Sequence, residues 1–173
     1  ARGLHDEQDA PLRFHPSCPR GAERWPAMLA LMSDPRTGEP CGVHRTFLAI
    51  DGSGKAPGAM PAKMMCGAAG VIRLTPDDEV TIGLGIAEGI ETALSVMQSF
   101  GWRPVWAATS AGAIRTLPIL PGIEVLTIFA DPDGAGIEAA RACAQRWAEA
   151  GREARICAPP AGDFNDLARQ CVA

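Results

Sequence analysis

The chain has 173 residues, of which 47% are hydrophobic and 21% charged, and its net charge is −4. That balance supports an ordinary core, argues against wholesale disorder, and leaves no run of about 18 apolar residues to cross a membrane. Tyrosine is absent, so no tyrosine of this chain can act as a covalent nucleophile.

The charge is unevenly placed. Residues 1–75 hold nine Lys/Arg, seven Asp/Glu and all three histidines, whereas residues 76–173 hold seven Lys/Arg and thirteen Asp/Glu. An acidic chain is a poor generic binder of polyanions. An acidic half beside a mildly basic one is different, because its acids can serve as metal ligands.

Ala1 to Asp9 is mostly polar and has no secretory pattern, and the chain reads as a piece of a longer protein. Residues 11–40 are rich in Pro and Gly. Trp25 to Met32 reads as a strand before a turn at Asp34–Gly38, and Gly42 to Ile50 as the returning strand. Asp51–Gly54 is a second turn, and residues 56–70 are mostly Ala, Gly, Pro and Met. Residues 1–75 are therefore expected to form a small, basic, β-rich lobe.

Six cysteines without a Cys-x-x-Cys pair read as free thiols in a reducing cytoplasm. His15-Pro-Ser-Cys18 and Cys41-Gly-Val-His44 have the two-residue gaps of a tetrahedral zinc site. Coincidence between a Pro-rich loop and a strand is the preferred reading.

After Pro76 the pattern changes. Val80 to Ala87 reads as a buried strand. Ile90 to Phe100 reads as a helix with Ile90, Ala93, Leu94 and Met97 on one face. Pro104 to Thr109 and Val125 to Ala130 are two more strands. Ala135 to Ala150 is a helix with Ile137, Ala140, Ala144 and Trp147 inward. Glu153 to Ala158 is a fourth strand, and Phe164 to Cys171 a last short helix. This alternation predicts right-handed crossovers and a parallel four-stranded sheet flanked by helices over residues 76–173.

Ligands of such sheets gather at the carboxyl ends of the strands. There the sequence puts Glu88, the Thr109–Gly112 turn, Asp131 with Asp133, and Asp163 with Asp166. Crowded carboxylates repel one another, and a divalent cation relieves that repulsion. All-oxygen ligands favour Mg²⁺ or Mn²⁺. Each acid also has a structural alternative: Asp133 in a turn, Glu88 at a helix dipole, Asp163 as a helix cap. A dinucleotide site is disfavoured, because Glu88 would face the pyrophosphate. A dehalogenase-like phosphatase is disfavoured because no Lys follows Lys63.

Glu88-Gly89 after one strand and Asp131-x-Asp133-x-Ala-Gly136 after another resemble the Toprim domain of DnaG-type primases, topoisomerases and some nucleases. Ala107–Ala113, Phe129–Gly136 and Gly162–Asp166 resemble segments of the primases in particular. Gly42-Val-His-Arg-Thr-Phe-Leu48 and Pro61-Ala-Lys-Met-Met65 resemble the lobe that precedes Toprim there. The arrangement is most similar to primase modules of phages, plasmids and mobile elements.

The resemblance implies a primase catalytic core that joins nucleoside triphosphates on a single-stranded DNA template. It implies Glu88, Asp131 and Asp133 around Mg²⁺ or Mn²⁺, with Glu88 as general base and Asp163 and Asp166 as further ligands. Arg45, Lys63 and Lys55 would contact triphosphate or template, and Ser110 to Gly112 would offer backbone N–H groups to a phosphate. A replicative or fused helicase is an expected partner. The alternatives are a Toprim nuclease using the same acids, and a catalytically idle module that binds DNA or a helicase.

Overall fold

The computed structural model of the chain describes residues 11–172. The polar stretch Ala1–Asp9 lies outside them. Two four-stranded sheets follow one another along the chain: an antiparallel sheet, then a parallel one flanked by helices.

The first sheet has strand order β1-β2-β3-β4, from β1 (Leu12–Arg20), β2 (Glu23–Ser33), β3 (Pro40–Phe47) and β4 (Lys63–Gly67). Gly21, at φ +62, makes the two-residue turn from β1 to β2, a position where a side chain would be strained. Asp34 Oδ1 accepts the Arg36 and Thr37 N–H groups at 2.8 and 2.9 Å and closes the next turn. The sequence pattern predicts neither β1 nor β4. β1 carries Pro16 and Pro19 and is irregular between His15 and Cys18. An edge strand tolerates both features, because one side needs no ladder partners.

The two faces of this sheet pack differently. Ala30 and Met32 pack with Ile72, Ala87, Ile90 and Val96, under the parallel sheet and its first helix. Cys18, Ala27, Phe47 and Ala56 form a separate outer cluster. Arg20, 1% exposed, is bolted into that outer side. It donates to the Pro57 and Met60 carbonyls and lies over the Trp25 and Phe47 rings.

The second sheet is parallel throughout, in the order β6-β5-β7-β8. Its strands are β5 (Gly83–Ala87), β6 (Val105–Ala107), β7 (Val125–Phe129) and β8 (Glu153–Cys157). The helices are α1 (Ile90–Ser99), α2 (Ala111–Thr116), α3 (Gly134–Glu149) and α4 (Phe164–Val172). Leu84, Ile86, Leu126 and Ile128 from the sheet pack with Ala140, Cys143 and Trp147 of α3, and Trp147 is 0% exposed. This is the parallel α/β architecture expected, with shorter strands. Expected residues 80–82 fall outside β5, and Ile82 is 65% exposed.

Residues 71–73 stitch the two sheets together. Val71 bridges to Ser33 and Ile72 to Ala107, each through two backbone hydrogen bonds. Arg73 stacks 4.1 Å from the Trp106 ring centroid, donates to Asp34 O at 2.9 Å, and pairs with Asp77 at 3.1 Å. These contacts set the inner face of the antiparallel sheet over α1. Among the described residues, no helix is long and apolar enough to cross a membrane.

Candidate functional site

The parallel strands deliver their acids to one rim. Glu88 directly follows β5, and Asp131 lies two residues past β7. Burial raises the pKa of each above its ordinary value. For Glu88 the Asp131 charge adds to the rise, as does Asp133; the Ala111 backbone N–H and the Lys63 charge oppose it. For Asp131, the Thr92 hydroxyl opposes the rise by donating to Oδ1 at 3.3 Å, whereas the Asp133 and Asp163 charges add to it. Glu88 Oε2 is buried and has no hydrogen-bond partner, a costly state for a carboxylate oxygen.

The other acids have structural duties. Asp133 caps α3, its Oδ1 accepting the Gly136 N–H at 2.7 Å. Gly136 permits that tight turn, since a Cβ there would stand 2.6 Å from the Asp131 carbonyl oxygen. Asp163 and Asp166 exchange side-chain and backbone hydrogen bonds at 2.8 and 3.3 Å at the start of α4. Asp163 still lies near enough for its charge to act on Asp131. Ser110 Oγ caps α2 through the Ala113 N–H, and Ala111 offers its N–H to Glu88. Gly112 lies in the first turn of α2, beside a cleft of about 340 Å³.

Strand register decides what the preceding lobe contributes. In β3, Thr46 pairs with Lys63 and His44 with Met65, whereas Arg45 pairs with Met64. Residues opposite each other in an antiparallel pair share a face. Lys63, Thr46 and His44 thus stand on the inner face, and the Lys63 charge acts on both Glu88 and Asp131. Arg45 stands on the outer face with Met64. Its guanidinium lies 5.6 Å from the Phe47 ring centroid and donates to Pro19 O at 3.2 Å. The rim and Arg45 are not brought together.

Sequence reasoning misses Glu91 and Thr92. Glu91 lies in the first turn of α1, where an acid also suits the helix dipole. It pairs with both Lys55, at 2.9 Å, and Lys63, at 3.3 Å. Burial alone would raise its pKa, but the Lys55 hydrogen bond, its own backbone N–H and the two lysine charges push it down to about 2. Burial and Lys63 lower the His44 pKa, opposed by Glu91.

Among the described residues, no group of three or more His, Cys, Asp or Glu side chains is arranged to hold a metal ion. For the spacing that suggests zinc, the side chains diverge. Cys18 belongs to the outer cluster and Cys41 packs against the inner one. His15 Nδ1 accepts the Ser17 N–H at 3.0 Å. The acidic rim does fit a hydrated cation. Mg²⁺ keeps several waters and needs only one or two carboxylates, and Glu88 Oε2 is an orphaned acceptor beside the repelling Asp131 charge.

Residues 83–173 match the Toprim domain, and residues 1–73 match a domain of unknown function (DUF7146). No curated protein matches the chain. Among solved structures, a DNA primase domain from Pseudomonas aeruginosa matches 93% of this chain and 52% of its own length, at 16% identity and TM-score 0.57. The DnaG catalytic core matches over 83% and 48%, at 18% identity and TM-score 0.57. A chain in the structure of bacteriophage T7 lagging-strand DNA polymerase with primase domains bound to an RNA/DNA hybrid and dTTP matches over 95% and 82%, at 17% identity and TM-score 0.56. The chain spans about half the length of the first two. With more than half of its residues matched to one domain, the chain belongs to the Toprim family, and it resembles the DnaG-type primases in fold.

Proposed function

We propose that this chain is a primase catalytic core, which extends a primer by nucleotidyl transfer on single-stranded DNA. One observation carries the proposal: Lys63, on the inner face of the preceding lobe, lies near enough for its charge to act on both Glu88 and Asp131 of the rim. Template-directed nucleotidyl transfer from a triphosphate needs both acids and a cationic side chain, because the reacting phosphates must be neutralised and held.

In this reading Glu88, Asp131 and Asp133 hold Mg²⁺ or Mn²⁺, with Asp163 and Asp166 as outer support. The ion supplies charge neutralisation and orientation of the phosphates. Lys63 and Lys55 bind triphosphate oxygens. The Ala111 N–H fixes the Glu88 carboxylate, and the Thr92 hydroxyl orients Asp131. The primer's 3′-oxygen bonds to the α-phosphorus, the bond to the β-phosphate oxygen breaks, and pyrophosphate leaves. Glu88 takes the hydroxyl proton. Aromatics are 5% of residues, so template is held chiefly through its backbone. A helicase, fused or separate, would supply unwinding.

The test incubates the chain with single-stranded DNA, labelled nucleotides and Mg²⁺ or Mn²⁺, beside Glu88→Gln and Asp131→Asn. Labelled products from the parent alone support the proposal. Shortening of the DNA instead would identify a Toprim nuclease. Neither reaction, with DNA still bound, would identify a binding module.

A further inference from the structure

The seam between the antiparallel sheet and α1 contains an ion-pair bridge whose acid, Glu91, has no part in the chemistry described above. Glu91 places Oε1 2.9 Å from Lys55 Nζ and Oε2 3.3 Å from Lys63 Nζ. One carboxylate oxygen on each of two ammonium groups reproduces the way two phosphate oxygens would engage them. His44 and Thr46 are 6% and 3% exposed and share the sheet face of Lys63. Neither His44 Nδ1 nor Thr46 Oγ1 has a hydrogen-bond partner. Two orphaned polar atoms on the sheet face of Lys63 point to an oxygen-rich occupant.

The bridge is also weak. The Lys55, Lys63 and Glu91 side chains are 51%, 43% and 36% exposed, so water screens both pairs. A polyphosphate brings several negative charges against the single charge of Glu91. It also presents oxygens to a hydroxyl and a ring nitrogen that the Glu91 carboxylate leaves unpartnered.

We propose that Glu91 is an internal stand-in for phosphate: it occupies the Lys55–Lys63 pair above His44 and Thr46, and an entering polyphosphate displaces it. The inference rests on reading the rim and its two lysines as a phosphate-handling site, but not on the choice between polymerisation and hydrolysis.

The probe is inorganic tripolyphosphate, titrated calorimetrically into the chain in EDTA without template. Glu91→Gln should bind it roughly five-fold more tightly than the parent, the yield of releasing two screened ion pairs. Glu91→Asp, too short to reach both lysines, should shift binding the same way by less. Thr46→Val added to Glu91→Gln should lose part of the gain. Glu149→Gln removes an equal charge from the far end of α3 and should match the parent. Binding to Glu91→Gln no tighter than to the parent, or equal tightening by Glu149→Gln, overturns the proposal. The expected pattern without primer synthesis would count against the proposed function alone. Primer synthesis without the pattern would count against Glu91 alone.

Discussion

Replacing Glu88 with Gln should stabilise the metal-free chain while abolishing its chemistry. The carboxylate is held in a half-buried position beside Asp131, and its Oε2 has no partner. Glutamine keeps the shape, accepts the Ala111 N–H through its carbonyl oxygen, and presents a neutral amide to Asp131. Removing the repulsion should be worth on the order of 1 kcal/mol after discounting for solvent screening. For a chain of this length that raises Tm by about 2–4 °C. The pH dependence has a definite sign. Glu88 titrates above its ordinary value of 4.5 in the folded state, so its ionised form costs stability at neutral pH. That cost fades as pH falls through the folded pKa towards 4.5. Thermal unfolding in EDTA should therefore show Glu88→Gln above the parent at pH 7.5 and level with it near pH 4. Adding Mn²⁺ at pH 7.5 should raise the parent more than the variant. A variant that melts at or below the parent at pH 7.5, or a gain unchanged at pH 4, would refute the reasoning.

Asp133 joins a cap to a charge, and two substitutions separate them. Asp133→Asn keeps an acceptor for the Gly136 N–H and should melt near the parent while binding Mn²⁺ less well. Asp133→Ala should also lose about 1 kcal/mol of stability by chemical denaturation. Gly136→Ala forces a Cβ against the Asp131 carbonyl oxygen at 2.6 Å, so it should cost roughly 1–3 kcal/mol and weaken Mn²⁺ binding by moving Asp131. Glu91 acts in the opposite sense to Glu88. Its folded pKa of about 2 lies below the ordinary 4.5, so its contribution is present above 4.5 and disappears as pH falls towards 2. The stability difference between parent and Glu91→Gln should be flat above about pH 5 and vanish near pH 2, to be checked by urea unfolding across that range.

The parallel half was legible because buried parallel strands are written as short apolar runs between Gly, Pro and acids. Val125 to Ala130 and the Trp147 face of α3 are examples, and the acids that follow such runs fall at the carboxyl rim by topology. The antiparallel half was less legible. β1 looks like a Pro-rich loop because its unpaired edge tolerates Pro16 and Pro19. Arg45 illustrates a different limit. A one-residue difference in a strand reverses the face, and only the pairing with β4 reveals that His44 and Thr46, not Arg45, share the face of Lys63. The Glu91 bridge joins residues 28 and 36 positions apart, a separation that no local pattern reports.

The central claim is that the rim formed by Glu88, Asp131 and Asp133 holds a divalent cation. Electron paramagnetic resonance follows free Mn²⁺ directly as protein is added. The parent should deplete the free signal, and Mg²⁺ should restore it by competition. An Asp131→Asn, Asp133→Asn double variant, with both the Thr92 contact and the α3 cap still available, should bind at least ten-fold more weakly, a factor that corresponds to about 1.4 kcal/mol. Undiminished Mn²⁺ binding by that folded double variant would contradict the assignment of the site.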